Sequence, residues 1–108
     1  MRADTATQRS FDTLIAATLA DDYDQFVSVG DDRFRTGITP AMFHGVSQSL
    51  APRLRRGCTP TYLGQLRQGQ GLVSLWQLVF ADGGDDGLAR MSMTQGRVDG
   101  FVITQPFS

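Results

Sequence analysis

The chain predicts an α+β domain in which three N-terminal helices pack on a four-stranded antiparallel sheet, and three observations predict it. Apolar residues recur at helical spacing as far as Ala51. After Pro52 that spacing gives way to four short stretches rich in Thr, Val, Leu and aromatic residues. Each gap between those stretches is a few residues long and holds glycine, and connections that short make consecutive strands antiparallel neighbours. At 108 residues the chain has the length of a single domain, 1–108, with one core.

The first helix is expected over Thr5–Ala20, where Phe11, Leu14, Ile15, Thr18 and Leu19 recur at i, i+3, i+4, i+7 and i+8. Asp4 or Thr5 can cap it, and Asp21 with Asp22 can cap the next helix, which turns Tyr23, Phe26 and Val27 inward. Gly30 either ends that second helix or lies within a longer run to Arg35, and Gly37 supplies the stop. Thr39 followed by Pro40 starts the third helix, because proline lacks only an N–H that would be unpaired in a first turn. It is expected to run to about Ala51 and to bury Met42 or Phe43, Val46 and Leu50, with Gly45 as its weak point. The strands are expected at Thr59–Arg67, Leu72–Ala81, Leu88–Thr94 and Val98–Thr104.

The second strand carries the argument about partners. Leu72, Trp76, Leu78 and Phe80 alternate with Val73, Leu75 and Val79, so both faces are apolar, whereas a sheet with one wet face alternates apolar with polar. Three helices cover one face. The other is expected to meet a second copy in a homodimer through the outer sheet face, unless a strongly curved sheet covers it with its own residues.

Composition excludes several classes. All ten basic residues are Arg and all eleven acidic ones Asp, for a net charge of -1. That balance, with an isoelectric point near 5.6, leaves no clustered basic surface to neutralise phosphates, so no nucleic-acid partner is expected. Arg53, Arg55 and Arg56 read as a solvated helix end. Cys58 is the only cysteine, which rules out an internal disulfide and fits a cytoplasmic setting, and no apolar run predicts a leader or a membrane span. One histidine, His44, and one thiol do not make a metal site, so neither metal nor cofactor is expected. The acidic turn Asp82–Gly87 lacks the ligand spacing of a calcium loop and reads as a solvated hairpin.

Three segments carry a resemblance: Asp21-Asp22-Tyr23-Asp24-Gln25-Phe26-Val27 after an amphipathic helix, Gly37-Ile38-Thr39-Pro40, and the closing strand Gly96-Arg97-Val98-Asp99-Gly100-Phe101-Val102-Ile103. In this order the chain resembles the nuclear transport factor 2-like (cystatin-like cone) superfamily, in particular short bacterial members of unknown function. The resemblance spans nearly the whole chain and implies a curved, cone-shaped sheet with helices in its concave side. That superfamily holds isomerases, lyases, cyclases and non-catalytic oligomerisation modules, and a shared fold does not choose among them.

The residues that would line a pocket in such a cone are Tyr23, His44, Tyr62, Trp76, Arg90 and Asp99. No spacing among them matches a catalytic motif. Tyr62 and Trp76 read as core residues with a polar tip, His44 as a surface histidine, and Asp99, beside Gly100, as a bulge residue pointing to solvent. The expected function is therefore a non-catalytic homodimeric module, with room in the cone for a small apolar ligand. The alternative is a small-molecule isomerase, lyase or cyclase resembling ketosteroid isomerase, with His44 or Asp99 as base.

Overall fold

The computed structural model describes residues 2–104. Asp4 opens α1 (Thr5–Ala20) by accepting from the Thr7 N–H at 2.8 Å, and Asp21 closes it in the left-handed conformation at φ 56°. The inward stripe is Thr7, Phe11, Leu14, Ala17 and Thr18, while Leu19 turns outward. Of the two readings of Gly30, the structure shows the second helix ending before it, and a further short helix, not expected, follows. α2 (Tyr23–Val27) and α3 (Asp32–Gly37) are each capped by an aspartate, Asp22 and Asp31. The break falls at Gly30 because the chain there pairs with the sheet: Val98 N–H donates to Val29 and Asp31 N–H to Val98, both at 2.9 Å. Among the described residues four helices, not three, therefore precede the sheet.

The last of them, α4 (Pro40–Arg56), passes through Pro52 rather than stopping at Ala51. Proline removes one i→i−4 bond and crowds the preceding turn. The helix continues because Ala51 and Leu54 on either side are buried and Arg53 is tied to the sheet, so tertiary contact outweighs local preference. It stops at Gly57, whose φ of 122° a side chain would oppose. Replacing the exposed Pro52 with alanine is expected to stabilise the fold by about 2 kcal/mol in urea unfolding. An unchanged midpoint would mean that the helix is already broken there in solution.

The face that α4 buries also differs from the expected one. Phe43, Ser47, Ala51 and Leu54 point inward and Leu50 is half-buried, whereas Met42 and Val46 are 55% and 51% exposed. A polar residue can occupy the inner stripe because the Ser47 hydroxyl donates to the Thr18 carbonyl at 2.6 Å, and the Thr18 hydroxyl donates to Leu14 at 2.8 Å. The first bond stitches α4 to α1 inside the core and the second stays within α1, and no buried polar side-chain atom among the described residues is left unpaired.

Strands β1 (Cys58–Gln68), β2 (Gly71–Phe80), β3 (Gly87–Thr94) and β4 (Arg97–Thr104) form one antiparallel sheet in chain order. Each lies within a residue of its expected bounds. The β3–β4 turn, Gln95-Gly96, has φ of 53° and 78°, the pair of positive values that matches the twist of a tight hairpin. Two extra residues interrupt the ladder, Leu63 between Tyr62 and Gly64, and Asp99 between Val98 and Gly100. Such bulges bend a strand. All four helices pack on the face that carries Trp76, Leu78, Ala89, Met91 and Val98.

Candidate functional site

Aromatic rings fill the middle of the concave side of the sheet. Phe11 of α1 stacks on Trp76 with centroids 4.0 Å apart and planes 10° from parallel. Phe26 lies 4.6 Å from Phe43 and 5.4 Å from Phe34, and Phe101 stands edge-on to both Phe11 and Phe26. These rings meet because each comes from a core-facing position of a different element, and such pairs prefer offset or edge-on geometry. No buried side-chain nitrogen or oxygen among the described residues lacks a hydrogen bond.

Of the six residues expected to line a pocket, the structure gathers only two. Tyr62 stands edge-on to Trp76 at 5.5 Å, and both border an open groove of about 920 Å³ between α1 and the β1 side of the sheet. Arg9, Asp12 and Thr13 of α1 line its polar wall. Tyr23 is structural: its hydroxyl donates to the Ile38 carbonyl at 2.7 Å, pinning the α3–α4 connection. His44 lies on the surface, where Nδ1 meets Asp21 Oδ2 at 2.6 Å. Arg90 and Asp99 are on the opposite face of the sheet.

That outer face follows from the register. Arg90 pairs with Leu75 and Val102 and alternates with fully buried Ala89 and Met91, so it projects away from the helices. Asp99 accepts from the Ser92 hydroxyl at 2.5 Å and from Thr94 at 2.8 Å, and Ser92 and Thr94 share the face of Arg90. The bulge at Asp99 is what lets its carboxylate reach both. The Ser92 hydroxyl, and after it that of Thr94, hold the Asp99 carboxyl below the usual carboxylate range, although partial burial acts the other way. A carboxylate held in this way is a weaker proton acceptor than an ordinary aspartate, the opposite of what a base working near neutral pH requires.

The outer face is apolar, but not where the second strand suggested. Val73 is only 7% exposed, covered by its own neighbours, and Leu75 is half-buried, so much of β2 is sheltered within the chain. The exposed aliphatic surface lies mostly on the flanking strands: Leu63 and Leu66 of β1, 51% and 58% exposed, Leu88 of β3 and Val102 of β4, together with Val79 of β2.

Arg53, expected in a solvated helix end, instead joins α4 to the β2–β3 loop. Its Nε donates to Asp82 Oδ2 at 2.7 Å and one terminal nitrogen donates to the Asp85 carbonyl at 2.9 Å, while the guanidinium lies 3.8 Å from the Phe80 ring centre. Only 21% and 13% of the two side chains is exposed. No local motif marks this pair, since the two residues are 29 positions apart. The Arg53 hydrogen bonds, and after them the Gly84 N–H, lower the Asp82 carboxyl to about 2. Because the folded value lies below the ordinary one, its stabilising effect is complete above roughly pH 4 and is lost as pH falls towards 2. Urea midpoints of the wild type and Asp82→Asn are expected to differ at pH 6 and converge towards pH 2; parallel curves would refute the linkage.

Burial pushes the Cys58 thiol up, away from reactivity. No group of three or more His, Cys, Asp or Glu among the described residues is placed to hold a metal ion. No helix among them is long and apolar enough to cross a membrane.

No protein-family model and no curated protein matches the chain. Among solved structures it is similar to an uncharacterised cystatin-fold protein from Novosphingobium aromaticivorans, with a TM-score of 0.48 and 16% identity over 90% of this chain and 96% of that one. A likeness of that depth carries no argument about function, and the α+β architecture rests on the topology of this chain itself.

Proposed function

We propose that the chain is a non-catalytic homodimeric module of the nuclear transport factor 2-like (cystatin-like cone) type, whose cone is filled by its own side chains and whose outer sheet face meets a second copy. The observation that carries the reading is the aromatic packing of the concave side, with Phe11 against Trp76 at 4.0 Å where an enzyme of this shape would need space for substrate. The candidates for a base add to it. His44 lies on the surface and Asp99 on the outer face, so neither adjoins an apolar chamber that would tune it for proton transfer. The exposed aliphatic residues of β1, β3 and β4 supply the surface for association. The lone, half-buried Cys58 fits a reducing, cytoplasmic setting.

Light scattering on a size-exclusion column at 5–100 μM tests the reading; twice the monomer mass is the expected result, and a monomer throughout would end it. The groove beside Tyr62 favours one second reading, a small apolar ligand resting against that ring. A thermal-shift screen of apolar ligands separates the two, because a ligand that binds only the native state raises its melting temperature.

A further inference from the structure

We propose that in the homodimer Arg90 of each copy pairs with Asp99 of the other across the outer sheet face, the two ion pairs setting how the faces meet. This rests on the homodimer reading above and goes beyond it by naming the contacts that orient the two copies.

Opposite charges stand on one surface. Arg90 is exposed in the middle of the outer face, and among the described residues it forms no ion pair. Asp99 is half-buried on the same face, held by two hydroxyl groups, and no cation among the described residues lies within ion-pair distance of it. Arg90 stands opposite Val102, three positions along β4 from Asp99, so the two lie about 10 Å apart along the strands. A twofold axis parallel to the sheet, midway between the two facing surfaces and at right angles to the line from Arg90 to Asp99, near Ser92 and Gly100, brings each Arg90 over the other copy's Asp99 at once. Both charges are then answered by one symmetry operation. Gly100 keeps this centre low, since a Cβ there would sit 2.7 Å from the Ser92 hydroxyl.

The edges of the sheet are less suited to pairing than its face. β1 is an edge strand, but Pro60 lacks an N–H and the Leu63 bulge breaks its regular ladder. The edge of β4 is occupied at Val98 by the backbone of Val29 and Asp31. The face itself, four strands about 4.8 Å apart and some eight residues long, offers roughly 500 Å². That is below the ~800 Å² per partner of a standard stable interface, so apolar contact alone gives a weak dimer and a symmetric pair of ion contacts carries weight.

Sedimentation velocity of the full chain at 1–100 μM in 50 mM salt, with far-UV circular dichroism to confirm folding, tests this. Arg90→Asp is expected to raise the dimer dissociation constant at least about tenfold, since it places like charges together twice. Adding Asp99→Arg to that variant is expected to return it to within about threefold of wild type. Asp99→Asn, which keeps the bulge side chain nearly isosteric, is expected to weaken the dimer without rescue by Arg90→Asp. A wild-type dimer indifferent to Arg90→Asp, or a folded double variant that stays dissociated, overturns the pairing and leaves the homodimer standing. A wild-type monomer overturns both and leaves the face to some other occupant.

Discussion

Trp76→Ala is expected to cost about 4 kcal/mol, the largest loss from a single side chain in this fold. Trp76 is 1% exposed, it carries the Phe11 stack and the Tyr62 edge contact, and it lies on the strand to which both neighbours bond. Truncation removes its burial and leaves a hole between a helix and a sheet that cannot both close on it, because α1 is also held to α4 by the Ser47 hydroxyl, which donates to the Thr18 carbonyl. A domain of this size has a total stability of roughly 5–15 kcal/mol, so the variant should lose much of its margin. Urea unfolding followed by circular dichroism measures the change. A loss below 1 kcal/mol would show that the concave side is not a packed core in solution, and the filled-cone reading would go with it.

The parts of the fold legible in the sequence were those where a local signal and a tertiary demand agree. The strands fell within a residue of their expected bounds because glycine turns and apolar alternation mark both ends of each. The extent of α1 is legible for the same reason, with Asp4 as cap and a regular apolar stripe. A stop at Gly30 is one of two readings the sequence leaves open, and neither the choice between them nor the separate α3 is legible locally, because both depend on Val98, about seventy residues away, offering its backbone to Val29 and Asp31. Nor was the passage of α4 through Pro52, which local preference opposes and burial of Ala51 and Leu54 overrides.

The candidate site was legible in its residue types and not in its geometry. Asp99 could be placed at a bulge from Gly100 and the mismatched strand face, and it is there. Its two hydroxyl donors were invisible, since Ser92 and Thr94 reach it only once the β3–β4 register is set. The outer face misled in a different way. Periodicity reports which residues are apolar and not which neighbours shelter them, so Val73 reads as open surface but is 7% exposed, while Leu66, which no alternation singles out, is 58% exposed.

Gly30→Ala is expected to be the most damaging change by a single methyl group, at about 3 kcal/mol. A Cβ at Gly30 would lie 2.2 Å from Cδ2 and 2.8 Å from Cγ of Phe34, a ring buried against Phe26. Backbone strain is not the cause, because Gly30 is not among the residues with positive φ. The cost comes from position: the flanking residues Val29 and Asp31 are both bonded to Val98, so the backbone cannot move away, and the ring must leave its place instead. This predicts a specific non-additivity. Phe34→Ala alone should be clearly destabilising, and in its presence Gly30→Ala should lose at least half its effect, because the Cγ and Cδ2 atoms it strikes are gone. Equal costs in the two backgrounds would show that the damage runs through the Gly30–Val98 pairing rather than through the ring.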